Sequence, residues 1–389
     1  MAEWSNAAVS KTVIVVRRSE VQILHSPKFP VCPIMQSQKA RAINIDLEKI
    51  HRLRSLLDNS GYNAAAGIAA RSPGLNIERL PERLRVFLKL FHLNKKITGV
   101  CAAHAFGEKF LAGLVELGLV VLDGRYIRPL CAIRCINGYY FIYDYDVSSC
   151  DYAYMGDDTD IFARCLPLNL HAKKVLDLCT GTGVQAILLS QGASQVAAVD
   201  ISARAVSFAR FNAALNNLGN KVKIMRADLF SPVKGKQFDL IVSNPPYIPI
   251  PRDLNFPLAA KGGEDGLLVL KRLINGIKAH LAKNGLGLVL GITPGGQRAP
   301  FIFNLLKKTA KTRHLNIDLI LLQCKPKQVE VDVRPCFLLG YNQKPLRELK
   351  KAMADLYARS KARYLYTYLI RLSHGKGSVN LIDLCGKFY

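Results

Sequence analysis

Asn244-Pro245-Pro246-Tyr247 places one amide, two rigid imino acids and one phenol ring in a row. Just before it, Phe238 to Val242 is a short apolar, β-branched run of the kind that forms a buried strand. Proline cannot continue a strand's hydrogen-bond ladder, and it pushes the residue before it away from helix. Asn244 and Tyr247 are therefore expected on an inflexible loop at the carboxyl end of a strand, where open α/β sheets bind their ligands. An amide oxygen accepts hydrogen bonds and an aromatic ring stacks, so this loop suits a flat group that carries N–H donors. An ordinary turn uses the same residues, and the surroundings must decide between the two.

Three more strand tips carry acids. Lys174 to Leu178 reads as a buried strand, followed by Cys179-Thr180-Gly181-Thr182-Gly183 and a helix from Val184 to Ser190. A strand, a glycine turn and a helix start bring backbone N–H groups close to a ligand. On its own Gly181-x-Gly183-x-x-Ala186 would also fit a dinucleotide fingerprint. The strand Gln195 to Val199 ends in Asp200, and the strand Lys221 to Met225 ends near Asp228, Leu229 and Phe230. A carboxylate at the second tip can accept from both hydroxyls of a ribose, and one at the third can meet an adenine amine. Each acid taken singly is equally explained as a helix N-cap.

Taken together, Asp177 to Gly183, Val199-Asp200-Ile201-Ser202, Ala227-Asp228-Leu229-Phe230 and Asn244 to Pro249 resemble the class I S-adenosylmethionine-dependent methyltransferases with an Asn-Pro-Pro-Tyr motif. The likeness covers residues 173 to 292. It is greatest to the release factor glutamine methyltransferases, helped by Gly262-Gly263-Glu264-Asp265-Gly266-Leu267, and extends to amine methyltransferases of DNA and ribosomal RNA. The resemblance implies S-adenosylmethionine as cofactor, held by Asp177, Thr180, Gly181, Gly183, Asp200, Ile201, Asp228 and Leu229. It implies Asn244, Pro245 and Tyr247 as the catalytic residues, with Asn244 and the Pro245 carbonyl accepting from a substrate –NH2 and Tyr247 stacking on its plane. No metal is expected. The chain departs from the release-factor pattern at Pro249 to Pro257, which lacks the Glu-Pro pair expected before the Gly-Gly stretch.

These elements must sit in an α/β fold: a Rossmann-like, seven-stranded class I methyltransferase sheet over residues 159–342, ending in an antiparallel pair made by Asn316 to Cys324 and Val329 to Leu339. Ahead of it, residues 35–158 are expected to form a smaller α+β, winged-helix-like domain. Its signals are apolar spacing of three and four from Ile45 to Leu57 and Leu80 to Leu93, a helix over Ala102 to Leu119, and an Asp123-Gly124 hairpin. Residues 343–389 hold ten Lys/Arg against three Asp/Glu, with Tyr364, Tyr366 and Tyr368 interleaved, and are expected to be a basic helical extension. Residues 1–34 lack periodicity. Glu20 to Leu24 can be encoded by a sequence resembling the T arm of a transfer RNA, so this leader is expected to be either disordered or a spurious frame.

Composition bounds the function classes. A hydrophobic fraction of 50% describes a globular chain, and no apolar run approaches the length of a membrane span. Ten scattered cysteines without a C-x-x-C pair argue for reduced thiols in a cytoplasm. Lys+Arg 54 against Asp+Glu 29 gives a net charge of +25, which favours a polyanionic partner. The first expectation is therefore an N-methyltransferase acting on a nucleic-acid base of rRNA or DNA. The alternatives are a release factor glutamine N-methyltransferase, with a translation release factor as partner, and a non-enzymatic nucleic-acid-binding protein with a degenerate methyltransferase core.

Overall fold

Asp46 starts the first helix: its carboxylate accepts from the Lys49 backbone N–H, and α1 (Leu47–Ser60) runs until Gly61 at φ 74 ends it. Ile50, Leu53 and Leu57, spaced by three and four, are its buried face. The computed structural model describes residues 43–71, 75–145, 152–169, 172–297, 299–326 and 344–385. The leader and the stretch Val329 to Leu339 lie outside them.

After α1 come α2 (Tyr62–Arg71), α3 (Glu82–Phe87) with a π turn at Leu88–His92, β1 (Ile97–Thr98), α4 (Gly99–Phe106) and α5 (Glu108–Glu116). The single helix expected over Ala102 to Leu119 is broken at Gly107, whose φ of 80 is open to glycine and costly for other residues. β2 (Val120–Asp123) and β3 (Tyr126–Pro129) form the expected hairpin, and β1 pairs with β3 to give the order β1-β3-β2. The solvent side of α5 carries Glu108, Lys109, Ala112 and Glu116, with Glu116 paired to Lys49, so this helix presents no basic run.

A second hairpin, β4 (Cys131–Ile136) and β5 (Tyr139–Asp144), turns at Asn137-Gly138, both at positive φ. Its free edge is completed by a helix: Asn216 Oδ1 accepts from Tyr140 N–H at 2.9 Å, and Asn212 Oδ1 accepts from Ile142 N–H at 2.8 Å. The two asparagines lie one turn apart, Asn212 in the helix Ala203–Leu215 and Asn216 as its C-cap.

The large sheet contains β6 (Lys174–Leu178), β7 (Gln195–Asp200), β8 (Val222–Arg226), β9 (Phe238–Ser243), β10 (Leu281–Gly295), β11 (Leu315–Pro326), β12 (Tyr364–His374) and β13 (Val379–Asp383), in the order β8-β7-β6-β9-β10-β12-β11-β13. Helices α6 (Asp157–Cys165), α7 (Val184–Leu189), α8 (Ala203–Leu215), α9 (Leu268–His280), α10 (Ile302–Arg313) and α11 (Leu346–Arg359) accompany it. β8, β7, β6, β9 and β10 are parallel, and β12 runs antiparallel between β10 and β11. Seven of these strands have the expected arrangement; β13, parallel to β11, is an eighth.

The basic helical extension expected from 343 onward is corrected here. Among its described residues, only Leu346–Arg359 is α-helix. Tyr364–His374 is an inner strand and supplies the antiparallel partner of β11 that was expected from Val329 to Leu339. Tyr366, Tyr368, Ile370 and Leu372 are buried on one face and Leu369 on the other, a period of two that the density of charges around it obscures.

Candidate active site

The glycine loop turns tightly because three of its residues adopt left-handed backbone: Cys179 at φ 57, Gly181 at 55 and Gly183 at 84. A Cβ at Gly183 would also lie 3.2 Å from Ala209 Cβ, so α7 and α8 approach closely only with glycine there. Beneath the loop, Asp177 is fully buried. Its Oδ2 accepts from Thr180 Oγ1 at 2.5 Å and from Ala186 N–H at 3.1 Å. Its Oδ1 is buried with no hydrogen-bond partner among the described residues. Burial, only partly offset by the two donors, pushes the Asp177 carboxyl up to about 7.

Asp200 fastens the loop to the second strand: Oδ2 accepts from Gly181 N–H and Oδ1 from Ser202 N–H, both at 2.9 Å. Ile201 beside it is 49% exposed. At the third tip Asp228 is exposed, and its Oδ2 accepts from Arg272 at 2.6 Å. That ion pair was not anticipated; the sequence points Asp228 at a ligand amine. Leu229 holds φ 45, a strained position for a branched side chain. Phe230 stacks on His280 with ring centres 4.4 Å apart. Asp228, Leu229, Phe230, Lys234, Arg272 and His280 line a cavity of about 370 Å³.

At the tip of β9, Asn244 donates through Nδ2 to Asp158 Oδ2 at 2.7 Å. Its Oδ1 is buried and has no partner among the described residues. The amide is thus turned by one carboxylate so that its acceptor is left for something else. Asp158 is 7% exposed and also receives the Tyr154 hydroxyl at 2.8 Å. Burial first, then the charge of Asp158 and a hydrogen bond to it, raise the Tyr247 phenol well above its ordinary range. Tyr247 therefore faces the same carboxylate as Asn244. Pro245 is buried between them.

The later glycine stretch packs on this loop. Ile248 N–H donates to the Ala260 carbonyl at 3.0 Å, Gly262 N–H to Ile248 at 2.9 Å and Ile250 N–H to Gly263 at 2.9 Å. A Cβ at Gly262 would lie 2.7 Å from the Tyr247 carbonyl carbon, and one at Gly266 would lie 2.4 Å from the Tyr247 carbonyl oxygen. These glycines permit backbone to lie on backbone.

Asp177, Thr180, Gly181, Gly183 and Asp200 are joined by hydrogen bonds, with Ile201, Asp228 and Leu229 on the adjoining strand tips. Asn244, Pro245 and Tyr247 form a second group on β9. Asp158, in the first turn of α6, is a site residue the sequence does not point to, since no local pattern ties it to β9.

Residues 151–293 match the family model described as the methyltransferase small domain. A ribosomal protein uL3 glutamine methyltransferase of Bradyrhizobium diazoefficiens is 38% identical over 133 residues, 32% of this chain and 41% of that protein. A release factor glutamine methyltransferase of Thermodesulfovibrio yellowstonii is 37% identical over 137 residues, 32% of this chain and 48% of that protein. The chain thus spans under half the length of these relatives. A solved S-adenosylmethionine-dependent methyltransferase from Agrobacterium tumefaciens is 17% identical, covers 66% of this chain and 77% of its own, and has a TM-score of 0.40. Among the described residues no helix is long and apolar enough to cross a membrane.

Proposed function

We propose that the chain transfers a methyl group from S-adenosylmethionine to the side-chain amide nitrogen of a glutamine in a protein, a reading supported by the methyltransferase small domain match at residues 151–293 and the similarity to glutamine methyltransferases. The observation that carries this reading is the orphaned, buried Asn244 Oδ1 beside Pro245, with its own –NH2 already engaged by Asp158. A buried acceptor without a donor is costly in a folded chain, and an incoming amide –NH2 supplies that donor.

The residues fit the cofactor. Asp177 Oδ1 is a second buried acceptor with no donor among the described residues, suited to an ammonium group. Asp177, Thr180, Gly181 and Gly183 would hold the methionine part, Asp200 and Ile201 the ribose, and Asp228 and Leu229 the adenine. When bound, S-adenosylmethionine supplies an electrophilic methyl group. The chain's contribution is orientation and charge: Asn244 Oδ1 and the Pro245 carbonyl accept the two N–H bonds of the substrate amide, fix its plane and stabilise positive charge developing on nitrogen. Tyr247, held by Asp158, walls the site.

A nucleic-acid base, the first expectation from charge, loses its local support. Tyr366 and Tyr368 are core residues, unable to stack on a strand, and α5 offers no basic face. The glutamine reading is tested by incubating the full chain with methyl-labelled S-adenosylmethionine and a lysate, then separating protein from nucleic acid. Label in protein, located to a glutamine by a one-methyl mass increase, is the expected result. Label confined to a nucleic-acid fraction overturns it.

A further inference from the structure

The connection between β11 and β12 lies outside the residues of the family match, yet it emerges at the edge of the sheet that carries the site. Pro326 pairs with Tyr364 there, and Arg363 N–H donates to the Gly295 carbonyl at 2.8 Å. Its helix α11 meets the sheet at Leu365 of β12 and packs mainly on a loop. Leu349, Met353 and Tyr357 join Ile250, Leu254, Phe256 and Ala260 of the loop that follows Tyr247, together with Tyr152, in a core of their own. Tyr154, which holds Asp158, packs against the same cluster. Lys344, just ahead of the helix, pairs with Asp253 of that loop at 3.2 Å.

The outer side of α11 is basic. Arg347, Lys350 and Lys351 are exposed in its first turns, and Arg359, Lys361 and Arg363 are exposed at its end; Glu348 and Asp355 are the acids on this stretch. None of those six cations has a carboxylate within ion-pair distance among the described residues. In the first turn Arg347 opposes the helix dipole at about 0.3–1 kcal/mol while Glu348 complements it, and Arg359 in the last turn complements it too, so the dipole does not account for the cations of the second turn, Lys350 and Lys351. The face carries no fully exposed ring, since Tyr357 is buried and Tyr364 half-buried, so it lacks the stacking platform that single-stranded nucleic acid uses.

We propose that the outer face of α11 docks an acidic segment of the protein substrate, close in sequence to the glutamine presented at Asn244. This rests on the glutamine reading and adds a partner chemistry to it. The test uses the full chain and three labelled probes: a peptide with one glutamine between runs of glutamate, the same peptide with lysines for glutamates, and an oligouridylate of equal negative charge. The acidic peptide should bind best, more weakly as salt rises, and Arg347→Glu/Lys350→Glu/Lys351→Glu should weaken it about tenfold or more. Lys350→Arg/Lys351→Arg should retain binding, separating charge from helix damage. Unchanged peptide binding in the charge-reversed variant overturns the proposal, as does tighter binding of the oligouridylate. Binding is scored without turnover, so wild-type chain that binds the acidic peptide but labels no lysate protein would sink the glutamine reading alone.

Discussion

At the tips of β6 and β7 the side chains that meet come from nearby in the chain, whereas at the tip of β9 they come from far away. Thr180 reaches Asp177 across three positions, Ser202 reaches Asp200 across two and Gly181 reaches Asp200 across 19. Asn244 is oriented by Asp158 across 86 positions, and Tyr247 is overlaid by Gly262 and Gly266. A pocket assembled from its own loops is set once those loops fold. A pocket assembled across the chain can be altered from a distance, and this one is bordered by α11, which the family match does not include.

If the two halves are separable in this way, damage at β9 should leave cofactor affinity intact. Asn244→Ala should lower kcat by about a hundred- to a thousandfold, the loss typical of one oriented acceptor or donor in a site, while the dissociation constant for S-adenosylmethionine measured by calorimetry stays unchanged. Asp158→Ala should lower kcat by roughly ten- to a hundredfold, since it frees the Asn244 amide to turn without removing it. A parallel loss of cofactor affinity in either variant would break the division.

The same division sets what can be read from the sequence. Asp177, Gly181, Gly183 and Asp200 stand in short runs whose spacing alone builds the loop, and all were legible. Asp158 was not, because nothing local to Asp157-Asp158-Thr159 indicates that β9 will come to lie beside it. The Asn137-Gly138 turn is legible, because Asn-Gly between apolar, aromatic runs is the strongest short hairpin signal. Tyr364 to His374 was misjudged for a different reason: charge density in the tail outweighed a two-residue alternation that tertiary packing uses.

Gly262 gives a structural version of the comparison. Gly262→Ala must displace Tyr247 backbone, at a cost of about 1–3 kcal/mol for overpacking. Thermal melting should show a clear fall in Tm, against little change for Gly219→Ala, where a Cβ meets nothing within 4 Å. Equal melting of the two would mean that the Gly-Gly stretch does not hold the acceptor loop.

On the other half, pH is the lever. The Asp177 carboxyl is raised from 3.8 to about 7 by burial. Its contribution to stability is therefore whole below the unfolded value and is lost as pH rises towards 7, because the folded chain holds the proton more tightly. On the proposed function Asp177 receives the ammonium end of S-adenosylmethionine in its ionised form, and affinity should then weaken about tenfold per pH unit below 7. Asp177→Asn should abolish that slope; a slope that survives would move the titrating group elsewhere.

The smallest effect belongs to the ion pair at the rim. Arg272 and Asp228 are both about half exposed, and such pairs contribute roughly 0.2–1 kcal/mol. Arg272→Ala removes that and also frees the Asp228 carboxylate for an adenine amine, so the two consequences oppose each other. Cofactor affinity should shift by about fivefold at most, and in the tighter direction if Asp228 meets the adenine. A tenfold loss would instead mark Arg272 as a ligand-contacting residue and extend the cofactor half across α9, making it less local than its strand tips indicate.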